Sequence, residues 1–156
     1  VALYRAVATA PGNQFISLGS VVKDFLNAKS SEETVRELMD TESGYDAAVW
    51  TQMAEQMGLQ GLHIPEEYGG SGFGYVELGI VLEEMGRALL CAPYFSSAVL
   101  ATSALLHAGD DAAKKEHLPG IASGEKIALQ TGGKTERIKL GAKPTAAVKA
   151  FLKKSG

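Results

Sequence analysis

The side chains best suited by type to do chemistry are Glu83, Glu84 and Arg87, three histidines, the lone Cys91, and the glycine-rich run Gly69 to Gly74. Glu83 and Glu84 are adjacent, so on a helix they project about 100° apart and cannot serve as one acid–base pair. Glu84 and Arg87 are three residues apart and can meet, and the simplest role for them is a solvated or interhelical ion pair. His63, His107 and His117 show no ligand spacing and read as structural or exposed, because a metal site needs several ligands converging. Cys91 is the only cysteine, which excludes an intrachain disulfide and a thiolate cluster. No nucleophile elbow or Cys/His arrangement is present.

The glycine run invites comparison with nucleotide-binding loops and fails it. The dinucleotide fingerprint needs glycines at relative positions one, three and six, but the sixth position is Tyr75 counted from Gly70 and Glu77 counted from Gly72. No Gly-Lys-Ser/Thr follows either. The run reads instead as a surface loop turning the chain between two helices; if it has a further job, packing against another domain or chain suits it better than binding phosphate. Residue chemistry alone therefore defines no catalytic site.

The elements around these residues read as amphipathic helices. Phe15, Leu18, Val22, Phe25 and Leu26 share a face of a helix from about Gln14 to Ala28. Ser30 with Glu33 suggests a capping-box start for a second helix carrying Val35, Leu38 and Met39. A third begins near Asp46, carries Trp50, Met53, Ala54 and Met57, and stops at Gly58, which suits a left-handed conformation. Pro65 and the glycines keep the segment Leu59–Gly74 from being helical. A fourth helix presents Leu78, Val81, Leu82, Met85 and Leu89, and a fifth presents Phe95, Val99, Leu100, Ser103 and Leu106 and closes at Gly109. Asp110 or Asp111 caps a sixth that stops before Pro119, and Lys126 to Gln130 suits the start of a strand. Ser96, Ser97, Thr102 and Ser103 either leave room for an acyl chain or bond back to their own helix. Short loops between such helices give an all-α bundle.

At 156 residues with 46% apolar content the chain suits one globular domain. From Gly132 onward seven Lys and Arg face a single Glu, so that segment carries +6 and, within a whole of −3, the preceding part carries −9. Such a split marks residues 132–156 as a basic tail, with one candidate short helix after Pro144 bearing Val148, Phe151 and Leu152 on one side and Lys149, Lys153 and Lys154 on the other. With Phe151 as its only aromatic and no recognised motif, no nucleic-acid partner is expected. No apolar run approaches the length of a membrane span, and Val1 to Thr9 lacks the pattern of a secretory signal. A cytoplasmic location is the expectation.

Three segments in order carry a more specific signal: Gly58-Leu-Gln-Gly-Leu-His-Ile-Pro-Glu-Glu-Tyr-Gly-Gly-Ser-Gly72, Leu82-Glu-Glu-Met-Gly-Arg87, and Lys115-Glu-His-Leu-Pro-Gly-Ile-Ala-Ser-Gly-Glu-Lys126. Together, at these separations, they resemble the N-terminal helical domain of acyl-CoA dehydrogenases over about Gln14 to Ala128. The variant Gly86-Arg-Ala-Leu-Leu-Cys-Ala-Pro-Tyr-Phe-Ser-Ser97 resembles the actinobacterial branch, which includes sterol and fatty-acyl degradation enzymes. The resemblance implies an all-α helical bundle with a short basic C-terminal extension, divided as 1–13 extension, 14–131 domain and 132–156 tail. It implies an FAD-dependent α,β-dehydrogenation of acyl-CoA thioesters, in which the flavin and the catalytic glutamate belong to later domains and the N-terminal domain walls the acyl pocket. By position, Phe95, Ser96, Val99, Leu100 and Ser103 resemble the pocket-lining helix.

The departure from the family comes after Ile127, where a strand and a Thr-Glu-Pro motif are expected. Here Thr135-Glu136 is followed by Arg137 and the spacing differs. The expectations are therefore a truncated, frame-shifted or fragmentary chain that neither holds flavin tightly nor turns over alone. Its partners would be acyl-CoA and either a second copy or a full-length dehydrogenase subunit. The alternative is a non-enzymatic helical module for oligomerisation or subunit interaction.

Overall fold

The computed structural model describes residues 14–128. The expected extension 1–13, the tail 132–156 and the end of the candidate strand lie outside the described residues. Six α-helices run in order: α1 Gln14–Lys29, α2 Glu32–Met39, α3 Ala47–Glu55, α4 Tyr75–Arg87, α5 Thr102–Ala108 and α6 Asp111–Ala122. A π-helical segment, Phe95–Ala101, leads directly into α5. Among the described residues there is no strand, so residues 126–128 are not the start of one. The all-α expectation holds.

Helix starts follow local chemistry. Asp46 caps α3 by accepting from the amides of Ala48 and Val49, and Asp110 caps α6 by accepting from Ala113. The cap of α2 is Ser31, not Ser30: Ser31 Oγ accepts from the Thr34 amide at 3.2 Å. Ser30 is used otherwise, its hydroxyl donating to the Ala88 carbonyl at 3.0 Å and tying the α1–α2 corner to the end of α4. Gly58 ends the α3 region with φ +65°, as its type predicts.

α1 packs along α4, and with α3 they enclose a first core that includes Val22, Leu26, Trp50, Met53, Leu59, Leu62, Leu78 and Val81. A second core joins α5 and α6 through Ile64, Leu105, Leu118 and Ile121. The Trp50, Met53, Met57 stripe is core, as read from its spacing. Leu89 is not: it lies beyond the end of α4 with φ +49°, 69% exposed, because the helix stops at Arg87 and the chain turns outward.

α6 does not stop before Pro119 but runs through it. Proline forfeits one helical hydrogen bond and ordinarily costs about 3 kcal/mol in a helix interior. Here Leu118 and Ile121 flank it with no solvent exposure, so continuing the helix keeps both in the second core. Lys126 supports this end, its Nζ donating to the Glu116 carbonyl at 3.0 Å and its amide to the Gly120 carbonyl at 2.8 Å.

Candidate functional site

The segment between α3 and α4 is interior only in its first part, and residues 65–74, the glycine run included, are half-buried or exposed. Leu59 to Ile64 are six consecutive buried residues, in and after the 3-10 turn Leu59–Gly61, and a second 3-10 turn covers Glu66–Tyr68. The loop then doubles back on itself. The amides of Ser71, Gly72 and Phe73 donate to the carbonyls of Gly61, Ile64 and Leu62, each at 2.9 Å. Gly70 sits so close to the returning strand of chain that a Cβ there would stand 2.0 Å from the Ile64 carbonyl oxygen. A Cβ on Gly61 would lie 3.2 Å from that of Ala122. These glycines are thus required for contact between backbones. Three of the amides a phosphate would need are already committed.

Buried polar groups fix the loop to its surroundings. Tyr94 donates its hydroxyl to the Leu59 carbonyl at 2.8 Å, and Gln60 donates its amide to the Trp50 carbonyl at 2.8 Å. Trp50 in turn donates Nε1–H to the Gly124 carbonyl at 2.8 Å. The loop, α3 and the turn after α6 form one hydrogen-bonded unit beneath the segment that carries the candidate acyl residues.

That segment has two unlike faces. Inward lie Ser97, Ala98, Ala101 and Thr102, all buried. Ser97 Oγ accepts from the Ala128 amide at 3.1 Å and faces the Lys126 carbonyl at 3.4 Å, so this serine holds the chain after α6 rather than an acyl group. Thr102 bonds back, its amide and hydroxyl both reaching the Ser97 carbonyl. Ser96 also bonds back, donating to the Pro93 carbonyl at 3.2 Å.

The sequence-predicted site residues lie on the other side. Phe95 is 57% and Leu100 47% exposed, while Ser96, Val99 and Ser103 are half-buried. The five-residue hydrogen-bond step of a π-helix places Leu100 about one turn above Phe95. A regular α-helix would put these two on diverging faces. Phe95 and Leu100 therefore form an outward apolar edge, while Val99 between them packs in part against the first core.

The sequence reading missed one side-chain group. It treated His63 and His107 separately, yet both approach Tyr75. The Tyr75 hydroxyl lies 2.9 Å from His107 Nε2, and the Tyr75 and His63 rings are 6.0 Å apart between centroids. His63 is buried with neither ring nitrogen hydrogen-bonded. Burial holds its imidazole below the usual histidine range, and the neighbouring His107 pushes the same way. Separations of 12 and 32 residues gave no signal of this. Among the described residues no three His, Cys, Asp or Glu side chains gather to hold a metal ion. Glu84 and Arg87 form the ion pair expected, at 2.7 Å, and Arg87 also reaches Asn27 of α1 at 3.2 Å.

A helical bundle with a glycine loop closed onto buried chain and an apolar edge on a π-helical segment is a scaffold that shapes a surface. Comparison with known proteins identifies it. The family profile described as acyl-CoA dehydrogenase, N-terminal domain, matches residues 17–125. The chain belongs to the acyl-CoA dehydrogenase family. It is 39% identical over 110 residues to acyl-CoA dehydrogenase IpdE2 of Mycolicibacterium smegmatis, covering 70% of this chain and 34% of that protein. It is 33% identical to FadE27 of Mycobacterium tuberculosis over 70% of this chain and 29% of that one.

Among solved structures, the Tcur3481-Tcur3483 steroid ACAD superposes with a TM-score of 0.67 at 25% identity, over 78% of this chain and 34% of that chain. The ChsE4-ChsE5 complex from Mycobacterium tuberculosis gives 0.66 at 29% identity, over 80% and 35%. The chain spans about a third of the length of these relatives. Among the described residues no helix is long and apolar enough to cross a membrane.

Proposed function

We propose that this chain supplies the N-terminal wall of the acyl pocket in an FAD-dependent acyl-CoA dehydrogenase that acts on acyl-CoA thioesters of lipid or sterol side-chain degradation. The observation that carries the reading is the apolar edge of Phe95 and Leu100, bordered by the half-buried Ser96, Val99 and Ser103, on a segment whose opposite face is fully packed. Large apolar side chains held outward on a fixed scaffold remove water from an acyl chain laid against them. Full burial of a Phe or Leu side chain contributes roughly 1.5–3 kcal/mol each. The sterol alternative draws support from one structural relative, the Tcur3481-Tcur3483 steroid ACAD.

The described residues do not fit a flavin. The loop amides at Ser71, Gly72 and Phe73 are spent on Gly61, Ile64 and Leu62, and the outward edge is apolar. In this reading the flavin and the catalytic base belong to other domains, and this chain binds and orients without transferring hydride or proton.

The test is an NMR titration of the full chain with acyl-CoA thioesters of increasing length, before and after saturation with FAD and desalting. Shifts centred on Phe95 to Ser103 that grow with acyl length, with no flavin band retained, support the reading. Equal shifts with CoA alone, or acyl-dependent shifts elsewhere, refute the pocket wall. A retained flavin that bleaches with acyl-CoA refutes the division of labour.

One observation favours the second reading, a module that joins another copy or a dehydrogenase subunit. Met39 and Leu89 are 71% and 69% exposed and line one depression of about 420 Å³. Leu89 is held there at φ +49°, a conformation that costs a leucine energy. Sedimentation of the chain with and without Leu89→Asp tests this: a concentration-dependent oligomer lost in the variant supports it, and a monomer throughout removes it for self-association.

A further inference from the structure

A second concave surface shares no lining residue with the Phe95–Ser103 edge. It is a groove of about 930 Å³ between α3, the glycine loop and the turn after α6. Ala54, Met57, Phe73 and Ala122 give it apolar walls, and among the described residues its only charged lining residues are Glu55, Glu66 and Glu125. All three glutamates are exposed, and the ion pairs formed among the described residues use Glu32, Glu84 and Glu116 instead. The groove therefore presents three uncompensated carboxylates around an apolar floor. That combination fits a segment carrying both lysines and large apolar side chains.

The sequence contains such a segment, and it departs from the groove's rim. Gly124 and Glu125 line the groove, and the described chain ends shortly after them at Ala128. Residues 132–156 hold seven Lys and Arg against one Glu. Within them Val148, Phe151 and Leu152 recur at three- and four-residue spacing beside Lys149, Lys153 and Lys154. Between Ala128 and Pro144 the chain has ample reach to return, at about 3.3–3.6 Å per residue. Tethering at this distance gives an effective concentration on the order of millimolar, so modest contacts suffice.

We propose that this groove is the docking site of the chain's own basic segment, residues 144–154. The proposed docking pairs the segment's lysines with Glu55, Glu66 and Glu125 and its apolar side chains with the groove's apolar walls. The charged part of the contact is screened by salt; the apolar part is not. Docking covers a face distinct from the acyl edge, so the proposal stands or falls independently of the pocket-wall reading.

Zero-length carbodiimide cross-linking of the full chain at micromolar concentration, mapped by mass spectrometry, tests this. The monomer should show Lys149, Lys153 and Lys154 joined to Glu55, Glu66 or Glu125 at least several-fold above links to Glu33, Glu37 or Glu83. Phe151→Ser should reduce those links several-fold while leaving every charge in place. The triple variant Glu55→Gln, Glu66→Gln, Glu125→Gln should redistribute the remaining links without changing the helical circular dichroism, since all three sites are exposed. Links spread over acidic residues according to exposure overturn the proposal, as does a pattern indifferent to Phe151→Ser. Links found only in a cross-linked dimer overturn it in favour of a second copy as the occupant.

Discussion

The segment between α3 and α4 and the helix after Pro93 divide buried from open surface in opposite ways. The loop is rich in turn-formers and reads as solvent-side, yet Leu59 to Ile64 are buried without a break. The helix carries Phe95 and Leu100 about half exposed, and its interior face is built from Ser97, Ala98, Ala101 and Thr102. The difference lies in how each satisfies its backbone. The loop folds onto itself through three amide–carbonyl bonds and buries what it carries. The helix satisfies its backbone internally, and small residues on one face allow close packing there. Its large residues are then left facing outward, available to a ligand or another domain.

The largest effect expected from breaking this contrast lies in the loop. Gly70→Ala places a methyl against the Ile64 carbonyl and Cβ, both within 2.5 Å. Because the obstacle is backbone, the cost should reach about 3 kcal/mol or more, at the upper end of overpacking. Gly79→Ala on α4 is the control. Its Cβ would meet nothing within 4 Å, and helix propensity predicts a gain of roughly 0.5–1 kcal/mol. Urea denaturation of both variants decides; similar small effects would mean that the loop is not the tightly closed unit described. Tyr94→Phe comes next. It removes one of two donors to the Leu59 carbonyl, which keeps the Leu62 amide at 3.2 Å, and should cost about 0.5–1.5 kcal/mol, the range for one ordinary hydrogen bond. A midpoint unchanged from the parent would show that the bond between loop and helix contributes nothing.

Much of this fold is legible in the sequence because helix signals are local. Spacing placed Trp50, Met53, Leu78, Val81 and Met85 inside, Gly58 at a left-handed stop and a cap at Asp110 or Asp111, of which Asp110 takes it. The misreadings share a cause: tertiary contact decided them. Ser30 would cap α2 if the helix stood alone, but its hydroxyl is taken by Ala88. Pro119 reads as a terminator, yet burial of Leu118 and Ile121 carries α6 past it. The candidate acyl residues were found through family resemblance and position. A π-helical segment shifts the register that an α-helical count assumes, so spacing alone does not show that Phe95 and Leu100 share an edge. His63, Tyr75 and His107 left no trace, since nothing local links residues on three different elements.

The third prediction concerns that histidine. An unfolded histidine titrates near 6.5, and His63 in the fold is shifted below this by burial and then by His107. Between the two values the unfolded chain binds more protons than the folded one, so stability increases with pH across that window. Lowering the pH from about 6.5 toward the folded value should therefore weaken the fold. His63→Leu, which keeps the site apolar and close in volume, should flatten this part of the profile in urea midpoints measured from pH 5 to 8. An unaltered slope would show that His63 is solvated, and that the loop is less closed there than its burial indicates.

The smallest effect on stability is expected on the outward face, and it is the sharpest test of the contrast. Phe95→Ala with Leu100→Ala removes two large apolar side chains, a change that in a core costs roughly 2–5 kcal/mol at each site. Here both are about half exposed, so the unfolding free energy should move by no more than about 0.5 kcal/mol, as for surface positions. Acyl-length-dependent NMR shifts should nevertheless weaken. If burial of the two side chains against the acyl chain contributes even part of the usual 1.5–3 kcal/mol each, affinity falls by about tenfold or more. A loss of stability comparable to a core truncation would place these residues in the interior and erase the distinction between the two faces. Unchanged stability with unchanged acyl response would leave the outward face real and its assignment as a pocket wall wrong.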